Sequence, residues 1–159
     1  MLAPGYEYIS LDFETTGLDL HTDEPIQIGI VKFDAQGKII AGYQSLLRPS
    51  KPTKALKSIV GFITGLSAEA LSAAPSPEMI YDDILPFFTD KTIIIGHNIN
   101  FDLHFLQKFF PGLQWKGCID TFQLAQTLIH YPSSYAQEIL ISSLKSKPLF
   151  QQIFADVQL

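Results

Sequence analysis

The sequence has few residues of several kinds, and each shortage excludes a class of protein. A single cysteine, Cys118, excludes an internal disulfide and is typical of a protein kept in a reducing compartment. The longest apolar runs, such as TIIIG at 92–96, are far too short to span a bilayer. The first ten residues have neither a basic region nor a long apolar one, so they predict no secretory signal. We therefore expect a cytoplasmic protein with no membrane partner.

Basic residues are also few. The chain has 11 Lys and Arg against 16 Asp and Glu, a net charge of −5 that argues against a strongly basic nucleic-acid-binding protein. This balance does not exclude a nuclease, because a carboxylate cluster that holds divalent cations is acidic, and the cations then contact the phosphate. The chain is 159 residues long and shows no internal repeat. We expect residues 1–159 to form a single domain with a substantial core.

The first half of the chain predicts three strands, because apolar segments rich in β-branched and aromatic residues alternate there with turn residues. The strands are predicted at 6–14, 25–34 and 38–48. The short segment DAQGK joins the second strand to the third and is typical of a hairpin connection. Consecutive strands with such short links are expected to pair antiparallel.

The second half of the chain alternates helices with strands. Helices are predicted at 76–88, with Ser72 or Ser76 as N-cap, at 100–110, and at 120–130, with Asp120 as N-cap. Short strands are predicted at 91–98 and 115–120. A hairpin-linked trio of strands followed by strand–helix alternation predicts an α/β domain with a mixed sheet.

Three acidic residues are candidates for a functional site. Asp12 and Glu14 lie two residues apart on a predicted strand, so they project from one face about 7 Å apart along the chain. Such neighbours raise each other's pKa unless a cation neutralises them, and Mg²⁺ prefers oxygen ligands of this kind. Asp102 follows a buried strand and lies in the first turn of the next helix, where a carboxylate is favoured. The alternatives are a solvated strand end for the first two acids and an ordinary first-turn acid for Asp102.

Together, these stretches match a known pattern. DFETTGL at 12–18, HNINFDLHFL at 97–106 and DTFQLA at 120–125 resemble the DEDD superfamily of 3′→5′ exonucleases. They are most similar to the proofreading exonuclease of bacterial DNA polymerase III and its ribonuclease T relatives. FITGLSAEAL at 62–71 resembles the segment that links the family's first two motifs. The resemblance implies a ribonuclease H-like fold with a mixed five-stranded sheet, in which three antiparallel strands precede two parallel ones.

The resemblance also implies roles for individual residues. Two Mg²⁺ or Mn²⁺ ions are expected, with Asp12 bridging both, Glu14 holding the ion on the nucleophile side, and Asp102 holding the other through water. The remaining matched residues are expected to bind the substrate; they are Thr15, Thr16, Gly17 and Leu18, in the turn that holds the terminal nucleotide, and His97 and Asn98, in the second motif. A structural role for His97 is an equal alternative. For Gly17 we expect close approach of the backbone, and for Leu18 a wedge against a base.

One part of the family's pattern is missing. The third motif, H-x-x-x-x-D or Y-x-x-x-D, supplies a residue that orients the water and a fourth carboxylate. No histidine follows His130 in this sequence, and Asp156 is the one aspartate after Asp120. By the family's spacing, the motif would fall just past Leu159. Three explanations stay open: the sequence is part of a longer protein, the gene encodes a natural truncation, or Asp156 substitutes in an unusual geometry.

These patterns leave two principal hypotheses for function. The first is a metal-dependent exonuclease that releases nucleoside monophosphates from single-stranded DNA or RNA 3′ ends, with proofreading as one possible role. The second is a catalytically impaired relative that binds nucleic acid or a DNA polymerase subunit. Retention of three acids that repel one another favours the first hypothesis, and the missing motif favours the second. A metal-dependent phosphodiesterase of another kind on the same fold is a weaker third hypothesis.

Overall fold

A computed structural model of the chain describes residues 2–50, 67–129 and 134–145, with side chains described as far as residue 142. Two predictions fall wholly or partly outside these ranges. Asp156, the candidate for the missing fourth carboxylate, is one of them. The other is the linking segment, of which residues 62–66 are not described. None of the helices in the described ranges has both the length and the apolar character needed to cross a bilayer.

The described residues form the predicted mixed sheet of five strands. The strands are β1 (Glu7–Thr15), β2 (Pro25–Phe33), β3 (Ile39–Leu46), β4 (Thr92–Gly96) and β5 (Gly117–Asp120). They lie in the order β3-β2-β1-β4-β5. The first three pair antiparallel, whereas β4 pairs parallel with both β1 and β5. The α/β fold class and the strand directions are therefore confirmed.

Five helices accompany the sheet in the described residues. They are α1 (Ala68–Ala73), α2 (Tyr81–Ile84), α3 (Asn100–Phe109), α4 (Thr121–Leu128) and α5 (Gln137–Lys145). The predicted helices at 100–110 and 120–130 are confirmed, and Asp120 caps α4 by accepting a hydrogen bond from the backbone N–H of Phe122. The sequence patterns predicted neither α1 nor α5.

The segment predicted as a helix at 76–88 is helical over residues 77–87, but it is not one continuous α-helix. It consists of the short helix α2 between two 3₁₀ turns, Pro77–Ile80 and Leu85–Phe87. Pro77 lies in the first turn, where a proline is tolerated, whereas Pro86 has no N–H with which to continue an α-helical ladder. Ser76 precedes the first turn but makes no capping bond through its side chain, whereas Ser67 caps α1 by accepting from the N–H of Ala70.

The hydrophobic core lies on one face of the sheet. Alternate residues of β1, namely Ile9, Leu11 and Phe13, are buried there with Ile28 and Ile30 of β2. α3 and the segment around α2 cover this face; their core residues are Ile84, Phe88, Phe105, Leu106 and Phe110. Because side chains alternate along a strand, the intervening residues of β1 point to the opposite face. The core therefore fixes the register that places the acids of β1 on that opposite face.

Candidate active site

The candidate site begins at the carboxyl end of β1. Asp12 and Glu14 alternate with the buried Leu11 and Phe13, so both acids project from the face that the core does not use. Each acid has a direct neighbour on β2, where Gly29 pairs with Asp12 and Gln27 pairs with Glu14. The packing of Leu11 and Phe13 thus holds the two carboxylates side by side.

The third acid joins the site through a hydrogen bond to β1. The pairing of β1 with β4 ends at Ser10 and Ile95, so the part of β1 beyond Ser10 has no strand beside it on that edge. The side chain of Asp102 fills this gap: its Oδ1 accepts a 2.9 Å hydrogen bond from the backbone N–H of Phe13. Asp102 is 5% exposed, at the start of α3. The structure therefore brings together all three predicted acids.

The three carboxyl groups share an unfavourable electrostatic environment. Burial, aided by the charges of Asp12 and Glu14, raises the pKa of Asp102 to about 7, even though the hydrogen bond from Phe13 opposes the shift. Burial and the charge of Asp12 raise the pKa of Glu14. Asp12 is exposed over part of its surface, yet the protein around its carboxyl group displaces enough water to raise its pKa too. Every one of these shifts favours the neutral form, so all three anions lack a compensating positive charge.

The donor chemistry of this site fits a hard divalent cation. In the parts of the chain whose side chains are described, the one ion pair joins Lys32 to Glu7, and no lysine or arginine neutralises the site acids. Carboxylate oxygens are the ligands that Mg²⁺ and Mn²⁺ prefer. Among the described residues, no three Asp, Glu, His or Cys side chains converge as a complete set of ligands for one ion. The acids would therefore bind a cation together with water or a further ligand.

The loop after β1, residues 16–24, is held in shape by the carboxylate of Asp23. Its Oδ1 accepts from the hydroxyl of Thr16 at 2.8 Å, and its Oδ2 accepts from the backbone N–H of Asp19 at 2.9 Å. Gly17 lies against this carboxylate, because a Cβ atom at position 17 would come within 2.4 Å of Oδ2. The close approach that we predicted for Gly17 is thus made to Asp23 within the chain. Approach to a nucleotide stays a prediction.

Leu18 occupies the outer part of this loop. Its side chain is 84% exposed, the highest exposure among the large hydrophobic residues that the structure describes. An apolar side chain held in a rigid turn near two carboxylates is available to contact a base. Thr15 is buried, and its hydroxyl donates a 2.6 Å hydrogen bond to the carbonyl oxygen of Gly17. Thr15 therefore supports the turn from inside.

Two residues that the sequence reasoning did not assign to the site fasten the loop to α3. Nε2 of His104 lies 3.0 Å from the carbonyl oxygen of Leu20, and Nζ of Lys108 donates to the carbonyl oxygens of Leu20 and His21 at 3.1 Å each. The same helix carries Asp102 on its first turn. His104 and Lys108 thus couple the loop to the third acid. Their spacing of four residues, which places them on one helix face, is the signal that could have indicated this role.

Both ring nitrogens of His97 are within hydrogen-bonding distance of other groups. Nδ1 is 3.1 Å from the hydroxyl of Thr121, and Nε2 is 2.9 Å from the carbonyl oxygen of Tyr135. Since a carbonyl only accepts, Nε2 carries a proton in this arrangement. The contacts link the residue after β4 to α4 and to the segment before α5, which is the pattern of a structural histidine.

Asn98 has a left-handed backbone conformation, with φ at 60°, which asparagine tolerates better than most residues. Its backbone N–H donates to Oδ1 of Asp120 at 2.9 Å. The same oxygen accepts from Phe122 at the start of α4. Asp120 therefore acts as a cap and as a link to the second motif.

Comparisons with known proteins agree with this geometry. The RNase T model, described as an exonuclease family, matches residues 9–130. The DNA polymerase III PolC-type of Thermotoga maritima is 39% identical over 145 residues, which cover 89% of this chain and 10% of that protein. The 3′-5′ exonuclease DinG of Staphylococcus epidermidis is 34% identical over 137 residues, which cover 84% of this chain and 15% of that protein. The chain thus spans a small part of the length of both relatives.

The fold has close counterparts among solved structures. E. coli exonuclease I in its zinc-bound complex with single-stranded DNA superposes with a TM-score of 0.70 at 19% sequence identity. The superposition covers 86% of this chain and 34% of that one. The predicted ribonuclease H-like fold is therefore confirmed. Because the family model matches most of the sequence, and the motifs that define the site lie within the matched residues, the chain belongs to the exonuclease family of the DEDD 3′→5′ exonuclease superfamily.

Proposed function

We propose that this chain is a metal-dependent 3′→5′ exonuclease domain that releases nucleoside monophosphates from single-stranded nucleic acid. The observation that carries the proposal is the cluster of Asp12, Glu14 and Asp102, which the fold holds together although their charges repel. Holding like charges in this way costs stability in the absence of a cation, so the cluster needs a reason other than folding. Binding of divalent cations supplies one.

The three acids would hold two Mg²⁺ or Mn²⁺ ions. The charge of Asp12 raises the pKa of both Glu14 and Asp102, so all three carboxyl groups belong to one electrostatic cluster. We propose Asp12 as the ligand shared by the two ions. When bound, the ions would activate a water molecule and stabilise the leaving 3′ oxygen. The hydrogen bond from the N–H of Phe13 holds the carboxylate of Asp102 in a fixed orientation.

The loop and the second motif would bind the 3′-terminal nucleotide. Thr15, Thr16, Gly17 and Leu18 form a rigid turn next to Asp12 and Glu14, and exposed Leu18 offers an apolar surface for a base. His97 and Asn98 of the second motif, which the structure fixes through contacts with Thr121 and Asp120, would contact the same nucleotide. A single strand would reach this site directly, whereas a duplex end must first unpair at a cost of a few kcal/mol. The single-stranded DNA in the exonuclease I complex supports this substrate class.

The biological setting of the activity is a separate part of the proposal. The Thermotoga maritima relative is a DNA polymerase III of the PolC type, which favours a role beside a DNA polymerase, including proofreading. The Staphylococcus epidermidis relative is a 3′-5′ exonuclease that is not named as a polymerase. We propose single-stranded DNA as the first substrate to test, with RNA as the comparison, and a cytoplasmic location with no membrane partner.

A second candidate function is a binding module without efficient catalysis. The sequence after Asp120 contains no H-x-x-x-x-D, so no residue of that motif is present to orient the water or complete the metal site. Such a domain would bind a single-stranded 3′ end or a polymerase subunit and release it unchanged. Retained binding of single-stranded DNA with no hydrolysis is the result that this candidate predicts.

The test is hydrolysis of a 3′-labelled single-stranded oligonucleotide in Mn²⁺. We expect release of labelled mononucleotide, faster than from a matched duplex, and no product when EDTA replaces the metal. Asp12→Asn is the matched control, because it preserves the size of the side chain and removes the charge. Cleavage at internal positions of a circular single strand would contradict the exonuclease proposal. Tight binding without any product would favour the binding module instead.

A further inference from the structure

The residue paired with Asp12 on the neighbouring strand β2 is a glycine, so no side chain stands beside Asp12 on that strand. In the register of the antiparallel strands, Asp12 on β1 pairs with Gly29 on β2, and Gly29 pairs with Gln44 on β3. Directly paired residues of antiparallel strands project from the same face, with Cβ atoms about 4.5–5.5 Å apart. A side chain at position 29 would therefore stand immediately next to the carboxylate of Asp12.

Among the residues that the structure describes, no side chain lies within 4 Å of a Cβ atom placed at position 29. The nearest heavy atom to a Cβ placed at position 29 is the backbone oxygen of Asp12, 4.0 Å away. The contrast with Gly96 is clear, because a Cβ there would come within 2.3 Å of the side chain of Ile99. Gly29 also lacks the positive φ that Gly5, Gly37 and Gly112 have. Within the described residues, therefore, neither packing nor backbone conformation explains a glycine at position 29.

A glycine in the interior of a strand has a cost for folding. It loses more conformational freedom than other residues and offers no side chain for cross-strand contacts. β2 lies between β1 and β3, so Gly29 is in an interior strand of the described sheet. Glycine at such a place often marks a close approach by a ligand or by another backbone.

We infer that Gly29 keeps the surface beside Asp12 open for the backbone of the substrate strand. This inference rests on the proposed exonuclease function and adds a positioning residue to it. The nucleotides that precede the 3′ end would cross β2 at Gly29 on their way to the acids. A side chain at this position would block the strand without removing any ligand of the cations. The site would then still bind metal ions but would bind the nucleic-acid strand more weakly.

The test is a series of substitutions at position 29 with a matched control. Gly29→Ala, Gly29→Val and Gly29→Leu add side chains of increasing size. Gly42→Val is the control, because Gly42 lies on the same face of the sheet, opposite Val31 on the next strand, and is also open: its Cβ would lie 3.7 Å from the nearest atom, the oxygen of Ile30. Thermal stability, Mn²⁺ binding by calorimetry, and anisotropy of a labelled single-stranded oligonucleotide in Ca²⁺ are measured for each variant.

We expect Gly29→Leu to weaken oligonucleotide binding at least ~10-fold, the scale on which one misfitting group changes recognition. Gly29→Ala should have a smaller effect, and Gly42→Val should bind as the wild type does. The melting temperature and the affinity for Mn²⁺ should not fall in any Gly29 variant. With the 4-nitrophenyl ester of thymidine 5′-phosphate, which has no preceding nucleotides, Gly29→Leu should retain the wild-type rate of hydrolysis.

The outcomes separate this inference from the proposed function. If the wild type binds or degrades the oligonucleotide and Gly29→Leu does so equally well, the inference is wrong and the exonuclease proposal stands. If Gly29→Ala and Gly29→Leu both lose Mn²⁺ affinity and melt at lower temperature, Gly29 is structural and the inference is again wrong. If the wild type neither binds nor degrades single strands, the proposed function fails and this inference fails with it.

Discussion

The acidic residues at the two ends of β1 have opposite electrostatic surroundings. At the first end, Glu7 forms an ion pair with Lys32 at 3.0 Å and accepts a hydrogen bond from the hydroxyl of Thr89. At the far end, Asp12 and Glu14 face Asp102, and each of the three has a raised pKa. On one strand, four residues thus separate a neutralised carboxylate, that of Glu7, from the first of the uncompensated ones, that of Asp12.

Elsewhere in the described residues, a buried acid has a hydrogen-bond donor for each of its carboxylate oxygens. Glu24, which is buried, accepts hydrogen bonds from both the backbone N–H and the hydroxyl of Ser50. Asp102, which is buried to a similar degree, accepts one from Phe13 and faces two further acids. The repulsion at the far end of β1 is therefore specific to that place. It is the arrangement expected of a site completed by cations from solution.

The largest difference should appear when one acid at each end of β1 is replaced in a separate variant. Asp12→Asn should reduce hydrolysis of a single-stranded oligonucleotide by ~10³-fold or more, because a metal contributes several kcal/mol and each 1.36 kcal/mol is tenfold in rate. Glu7→Gln, the matched change at the other end of β1, should leave the rate within about threefold of the wild type, since a surface ion pair contributes little. Steady-state kinetics in Mn²⁺ compare the two, and equal losses would remove the distinction between the ends.

Much of the sheet could be predicted from the sequence, and the physical reason is local. Strands β1, β2 and β3 carry alternating or β-branched apolar residues, and DAQGK permits one short connection, so their ends lie within two residues of the prediction. The segment at 76–88 has an apolar pattern that suits a helix, but Pro86 lacks the N–H that a continuous α-helix needs there. α1 and α5 were not predicted; Ser67, which caps α1, is the local signal for the first of them.

The site was less accessible to sequence reasoning, because its contacts join distant segments. The motifs indicated that Asp12, Glu14 and Asp102 belong together. They did not indicate the hydrogen bond between Phe13 and Asp102, which are 89 residues apart in sequence. The roles of Asp23, His104 and Lys108 in shaping the loop likewise depend on tertiary contacts. Spacing along a chain predicts which face a residue occupies, and packing decides what that face meets.

A second prediction concerns the pH dependence of the metal-free protein. Asp102 has a pKa of about 7 in the folded state and about 3.8 unfolded, so folding favours its neutral form. The neutral carboxyl group of Asp102 therefore gives the folded state its full stabilisation below pH ~4. This stabilisation is lost as the pH rises to ~7, and the loss in the free energy of unfolding has an upper bound of ~4 kcal/mol. Asp102→Asn, which keeps an oxygen for the N–H of Phe13, should remove this loss. Urea unfolding in EDTA at pH 5 and pH 8 measures it, and parallel behaviour of wild type and variant would contradict the assignment.

A third prediction concerns a lysine placed beside Glu14, in the way that Lys32 lies beside Glu7. Gln27 pairs directly with Glu14, so Gln27→Lys places an ammonium group beside the site as Lys32 is placed beside Glu7. The affinity for Mn²⁺ should fall about tenfold, because the repulsion between the lysine and the ion amounts to ~1–2 kcal/mol at such distances. The metal-free protein should gain ~0.2–1 kcal/mol at pH 8, as expected of an opposite-charge cross-strand pair. Gln27→Met is the control for the loss of the amide, and an equal loss of affinity there would show that charge is not the cause.

The smallest effect is expected at the first end of β1, where the acid already has its partner. Lys32→Met removes the ammonium group and keeps most of the aliphatic stem that packs on the sheet. Both members of the pair are partly exposed, so the free energy of unfolding should fall by ~0.2–1 kcal/mol, and by less in 1 M NaCl, where screening shortens to ~3 Å. Urea unfolding at low and high salt measures this change, with Lys91→Met as a control for removing an exposed positive charge near Glu7. Mn²⁺ affinity and the pH dependence should match those of the wild type, because Lys32 and the site acids occupy separate ends of the strand. A change in Mn²⁺ affinity as large as that in Gln27→Lys would show that the two ends are electrostatically coupled and that the difference between them is not local.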